Sequence, residues 1–89
     1  MASYSLSYRP SVEKDLQPIP RSFVARIIAR IERLPSDLFS PQSTKLQGAE
    51  RLYRLRIGDY RIVYEVDSTA MRIIVQYVRH RREVYRHLS

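Results

Sequence analysis

Apolar positions along the chain switch between two periods. Over residues 3–9, Tyr4, Leu6 and Tyr8 alternate with serines. That alternation predicts a short strand with one buried face, ended by Pro10. Ser11 to Gln17 predicts a short helix with Val12 and Leu16 on one face, closed by Pro18 and Pro20. Pro20 suits the first turn of a second helix, where its missing N–H needs no partner. Phe23, Val24, Ile27, Ile28, Ile31 and Leu34 then recur at helical spacing, with Arg21, Arg26, Arg30, Glu32 and Arg33 on the other side and Pro35 as the stop. Residues 36–49 combine Pro, Ser and Gly with few apolar anchors and read as a loop. Three further strands are predicted at 51–57, 60–66 and 71–79. Only Gly58-Asp59 separates the first two, and a glycine at the first central position is what a two-residue type II′ turn needs. Asp67-Ser68-Thr69-Ala70 supplies the second turn. The tail from Arg82 to Leu88 fits either a short helix or an extended segment.

The hairpins can be paired on paper. With Gly58-Asp59 as the turn, Ile57 faces Tyr60, Leu55 faces Ile62 and Tyr53 faces Tyr64, all on one apolar face. The other face pairs Arg56 with Arg61, Arg54 with Val63 and Leu52 with Glu65. The same exercise on the next hairpin pairs Tyr64 with Ile73, Ile62 with Val75 and Tyr60 with Tyr77. On the opposite face it pairs Glu65 with Arg72, Val63 with Ile74 and Arg61 with Gln76. One register satisfies both hairpins, because a one-residue slip would turn the apolar set outward. The elements predict one α+β domain over residues 1–89: an N-terminal strand, two helices on one face of a mainly antiparallel four-stranded sheet, and a short C-terminal segment.

Charge sharpens this picture. The 89 residues carry 16 Lys+Arg against 9 Asp+Glu, a net +7, and 14 of the basic residues are arginine. Residues 51–89 hold nine Arg and four acids, a net +5, so the excess lies on the sheet side. Such a surface suits polyanions, either nucleic acid or an acidic protein. Arg56 directly opposite Arg61 is unfavourable in a sheet without a counterion. An external phosphate would relieve it, since the planar guanidinium can hold a phosphate with two parallel hydrogen bonds. The plain alternative is a solvated arginine face. Strand parity carried past the last hairpin puts Val78 and His80 on the Arg54/Arg56 side and Arg79 on the helix side. The basic tail interleaves Tyr85, which can stack on a base or exchange a proton. No cysteine is present, which excludes disulfides, thiolate metal sites and a thiol nucleophile. Two histidines, His80 and His87, are too few for a zinc site built on imidazole. No apolar run approaches a membrane span, and the first residues lack the layout of a secretion signal. A soluble, cytoplasmic protein without metal or cofactor is expected.

The run Tyr53-Arg54-Leu55-Arg56-Ile57-Gly58-Asp59-Tyr60-Arg61-Ile62-Val63-Tyr64-Glu65-Val66 follows Lys45-Leu46-Gln47-Gly48 and precedes His80-Arg81-Arg82-Glu83-Val84-Tyr85-Arg86. This combination, with the order of elements, resembles the RelE/ParE superfamily of bacterial toxins across nearly the whole chain. The RelE branch is similar in its site as well as its fold. The resemblance implies a RelE-like fold and a toxin of a type II toxin–antitoxin system, a metal-independent endoribonuclease that cuts mRNA in the ribosomal A site. It implies an acidic antitoxin, mRNA and the ribosome as partners. Carried over by position, it implies Arg61, Arg81 and Tyr85 as catalytic residues, with Arg54, Arg56, Arg79 and Arg82 holding phosphates. Either Arg79 or Arg81 stands for the family's last-strand arginine. His80 is a further candidate acid or base. Family members often carry Lys where this chain has Arg54 or Arg56; arginine does not deprotonate near neutral pH, so neither is a general base here. The alternative is the ParE branch, which shares the fold and inhibits DNA gyrase without nuclease chemistry. A basic module that merely holds RNA is the third reading.

Overall fold

The computed structural model describes residues 4–36, 43–46 and 51–80. The chain runs β1 (Ser5–Tyr8), α1 (Ser11–Leu16), α2 (Arg21–Glu32), β2 (Ser43–Lys45), β3 (Leu52–Ile57), β4 (Tyr60–Asp67) and β5 (Arg72–His80). The strands form one mixed sheet in the order β1-β5-β4-β3-β2, with β1 parallel to β5 and the other pairs antiparallel. All four expected strands form. The added one, β2, has three residues, Ser-Thr-Lys, with no apolar alternation to announce it. It extends the sheet at the β3 edge, inside the stretch expected to be loop.

Each helix boundary has a local cause. Pro20 sits just before α2 with a non-helical ψ of 140°, and its carbonyl accepts from the N–H groups of Phe23 and Val24. At the other end α2 stops at Glu32, and residues 33–36 continue as turns. Pro35 disfavours the helical conformation for the residue before it, so the helix closes earlier than its apolar pattern. Val12, Ile19, Ile27, Ile31 and Leu34 from the helical side meet Leu55, Ile57, Ile62, Tyr64, Val66, Ile73, Val75 and Val78 from the sheet. Burying each such side chain fully contributes roughly 1.5–3 kcal/mol. Tyr8 departs from expectation. It was placed on the buried face of β1, but it is 38% exposed at the sheet's edge, while Tyr4 and Leu6 pack on the core. No helix among the described residues is long and apolar enough to cross a membrane.

The β3–β4 register is the one expected, from Ile57 opposite Tyr60 to Leu52 opposite Glu65. Gly58 has φ +57° and Asp59 does not share the positive φ, as a type II′ turn requires. Phe23 packs against this turn, and a Cβ on Gly58 would lie 2.8 Å from its Cζ.

The β4–β5 register differs from the expected one in two steps. Asp67 belongs to β4, paired with Arg72, and its Oδ1 accepts from the Ala70 N–H at 3.0 Å. Met71 takes the left-handed turn position at φ 55°. The turn is therefore one residue later than expected, and Tyr64 faces Val75 rather than Ile73. That shift of two keeps every side chain on its face. Then Gln76 is extra: Tyr64 pairs with Val75, and Val63 pairs with Tyr77. This β-bulge reverses the parity of all that follows. Val78 faces the core opposite Ile62, Arg79 lies opposite Arg61, and His80 lies opposite Tyr60. The expectation that Val78 and His80 share the arginine face, with Arg79 on the helix side, is thus inverted. The bulged Gln76 is held through its amide, which donates to Glu65 Oε1 at 3.4 Å and accepts from Arg9 Nη1 at 3.3 Å.

Two predictions follow from the turns. Gly58→Ala places an L-residue in left-handed backbone, which costs about 1–2 kcal/mol, and displaces Phe23; urea unfolding should show a loss of at least that size. Asp67 has a pKa below its ordinary 3.8, chiefly through the Ala70 N–H; desolvation opposes this, and Arg51 and Arg72 lower it further. A carboxylate depressed in the folded state stabilises it above the unfolded pKa and stops doing so as pH falls through the folded value. The stability gap between wild type and Asp67→Asn should be widest above pH ~4 and close below it.

Candidate functional site

The sheet face away from the helices carries the arginines, arranged in cross-strand rows. One row runs Arg54, Val63, Tyr77 across β3, β4 and β5. The next, nearer the Gly58 turn, runs Arg56, Arg61, Arg79. The sequence register put Arg54, Arg56 and Arg61 together, and the structure does the same. The bulge adds Arg79, where Gln76 was expected.

The four arginines of the two rows are held differently. Arg56 is exposed and Arg54 is half-buried, and no ion pair among the described residues involves either. Arg61 is only 7% exposed. Its Nη1 donates to the carbonyls of Gly58 at 3.2 Å and Tyr60 at 3.1 Å, so the guanidinium closes the hairpin turn that precedes it. Arg79 lies with its Cζ 5.0 Å from the Tyr77 ring centroid, on the same face. Its Nη1 reaches Asp15 Oδ1 at 2.6 Å and the Val78 carbonyl at 3.0 Å. Beside these cations Val63, which the expected register also puts on this face, is 1% exposed.

The two acids of β4 are committed elsewhere. Glu65 was expected to pair with Arg72, but the shifted register puts Ile74 opposite it. Glu65 and Asp67 instead both pair with Arg51, at 3.4 and 2.7 Å, at the far end of the β3–β4 hairpin. The arrangement concentrates arginines toward the turn end of the face and draws the acids of β4 to the other end. Such a surface can bind phosphate oxygens and stabilise negative charge that develops on them.

His80 lies on the helix side, its ring edge-on to Tyr60 with centroids 5.4 Å apart. It does not join Arg54, Arg56 and Arg61. Arg81, Arg82 and Tyr85 lie outside the described residues, as does the tail.

Against this geometry, residues 6–85 match the model of a family described as the ParE toxin of type II toxin-antitoxin systems. The chain belongs to that family. Within the wider RelE/ParE superfamily, it is 24% identical over 87 residues to Toxin RelG of Mycobacterium tuberculosis, covering 93% of this chain and 97% of RelG. The archaeal RelE-RelB complex from Pyrococcus horikoshii superposes with a TM-score of 0.79 at 27% identity, covering 90% of this chain and 97% of the other. The RelB-RelE complex from Methanococcus jannaschii gives 0.76 at 28% identity, covering 92% and 98%. The toxin-family fold therefore accounts for almost the whole chain, and the arginine rows lie within the matched span.

The residue that sequence reasoning missed is Asp15. Nothing within α1 marks it: it stands three residues after the buried Val12, but its partners come from where β1 ends against β5.

Arg61 has a structural duty besides its charge. A hydrogen bond from a charged donor contributes about 1.5–3 kcal/mol. Arg61→Ala should lower the unfolding free energy by roughly that amount, as urea titration would show; unchanged stability would mean that the turn contacts are incidental.

Proposed function

We propose that this toxin is a ribosome-dependent endoribonuclease that cleaves mRNA in the A site. The observation that carries the reading is the cross-strand row Arg56, Arg61, Arg79, with Arg54 two residues before Arg56 on the same face. RNA supplies its own nucleophile. The 2′-OH gives its proton to solvent water and attacks the adjacent phosphorus, the bond to the 5′-oxygen breaks, and a 2′,3′-cyclic phosphate and a 5′-OH result. The transition state gathers negative charge on the phosphoryl oxygens, and preorganised cations stabilise it most when they need not move. Arg61, fixed by the turn carbonyls, is such a cation. Arg79 is fixed too, and its place opposite Arg61 favours it over Arg81 as the last-strand arginine of the site. Arg54 and Arg56 hold the flanking phosphates, joined by Arg82. Tyr85 gives the proton to the leaving 5′-oxygen; its ordinary pKa near 10 suits an acid. His80, turned to the helix side, is left out of this reaction.

The cation set lacks a strong base, so geometry must come from elsewhere. Holding nucleophile and phosphate in line can supply about 7–11 kcal/mol of a barrier. The ribosome, in this reading, provides that alignment, and free RNA is a poor substrate. An acidic antitoxin would neutralise the protein by covering the arginine face; the RelB-bound forms of the archaeal neighbours support such a partner.

The matching family model favours a second reading, a ParE-like inhibitor of DNA gyrase without nuclease activity. Primer extension on mRNA from cells expressing the protein separates the two. Codon-phased cuts are expected; intact mRNA with gyrase-linked DNA breaks would overturn the nuclease. Arg56 is exposed, so Arg56→Ala tests charge without touching the core. It should slow cleavage on programmed ribosomes roughly 10- to 100-fold, with an unchanged melting temperature.

A further inference from the structure

Asp15 occupies a position that the charge pattern alone does not explain. It lies in α1, and both of its carboxylate oxygens are engaged at the end of β5. Oδ2 accepts from the Val78 N–H at 3.1 Å. Oδ1 pairs with Arg79 Nη1 at 2.6 Å. The side chain is only 14% exposed.

The first contact has a backbone cause. The partner of β5 on this side is β1, and their pairing ends at Tyr8 opposite Val75. Arg9 still donates its N–H to the Val75 carbonyl, but Pro10 has none to give and the chain turns into α1. Residues 76–80 of β5 therefore extend past β1, and Asp15 supplies the acceptor that a longer β1 would have offered to Val78.

The second contact reaches across the sheet's edge to an arginine of the cross-strand row. Arg79 stands opposite Arg61 and shares its sign, so repulsion favours rotamers that take its guanidinium away. An open cavity of about 310 Å³ borders the pair beside Lys14, Tyr60 and His80. Packing on that side leaves the guanidinium room to swing, so fixed charges and the Tyr77 ring must hold it.

From this we infer that Asp15 is a positioning residue for Arg79: one oxygen secures the backbone of β5 beyond the bulge, and the other fixes the guanidinium over Tyr77 beside Arg61. The inference rests on the nuclease reading above and adds to it a residue outside the phosphate-facing set. It also separates two effects that usually move together. Asp15 carries negative charge near a site for a polyanion, so removing that charge should favour binding even as it loosens the arginine.

Asp15→Asn separates the two oxygens' roles, because the amide oxygen still accepts from Val78 while the ion pair is lost. The experiment is single-turnover cleavage of mRNA on programmed ribosomes over a range of protein concentration, with melting curves alongside. For Asp15→Asn the saturating rate should fall on the order of 10- to 100-fold, the half-saturating concentration should stay equal or fall, and the melting temperature should drop by no more than about 5 °C. Asp15→Ala should lose the rate and also melt clearly lower. In an Arg79→Ala background, adding Asp15→Asn should change the rate no further, since the carboxylate acts through that guanidinium.

Three results would overturn the inference alone. The first is Asp15→Asn cutting as fast as wild type or faster. The second is a loss of rate that follows loss of melting temperature and binding together. The third is an additive effect in the Arg79→Ala background. Wild-type protein that leaves ribosome-bound mRNA intact would instead overturn the nuclease reading, and the positioning role with it.

Discussion

The facing of every residue at the end of β5 depends on one extra residue, Gln76, in the ladder with β4. An antiparallel strand assigns its side chains alternately to two faces, so a single insertion exchanges the faces from that point on. Before the bulge, Ile73 and Val75 enter the core; after it, Val78 enters and Arg79 leaves. Without the exchange, the Arg79 guanidinium would point into the apolar layer under the helices. Desolvating an unpaired cation there costs far more than the local disruption of a bulge. The ladder can yield at Gln76 because its side chain is polar on both sides and bridges Glu65 and Arg9. Core packing and the charged face are thus set by the same backbone irregularity.

The arginine face also shows how like charges are kept in a sheet without collapse of the pairing. Arg61, central in its row, has its charge spread onto two turn carbonyls and is nearly buried. Arg79, at the open edge, is tethered by a carboxylate from the helical layer. Arg56, on the other flank, stays exposed to solvent. The acids of β4 are drawn to Arg51 at the opposite end of the hairpin, so the field across the face is uneven. A polyanion approaching it meets one cation in water and two already fixed, which reduces the side-chain entropy lost on binding.

Much of this was legible in the sequence, for identifiable reasons. In β3 and β4 every core-facing position is apolar about a two-residue turn that only a glycine at position 58 suits, so a single register survives. In β5 the neighbours Tyr77 and Val78 are both apolar, and either one satisfies a core position. Pattern alone therefore cannot detect the bulge between Val75 and Tyr77, nor place Arg79 and His80 on their proper faces. β2 was illegible because Ser43-Thr44-Lys45 has no apolar period; it pairs through backbone with β3. Asp15 was missed for a third reason. Its role depends on β1 ending short of β5, and no local pattern in α1 reports the length of a strand elsewhere.

A fold does not by itself choose a target; the choice lies in the side chains that the sheet presents. Here those side chains are arginines, which hold charge at any physiological pH and cannot take a proton from a nucleophile. Such groups are poor at starting a reaction by themselves and effective at stabilising a charge once a reaction is under way. That division of labour suits a substrate with its own nucleophile and a partner that supplies alignment. It also makes the precise placement of each guanidinium matter more than its presence. A group that contributes only electrostatics acts through distance, and at an effective dielectric of about 20 the interaction falls off steadily over the first few ångströms. On the nuclease reading, the turn carbonyls under Arg61 and the helical carboxylate beside Arg79 thus matter as much as the cations they hold.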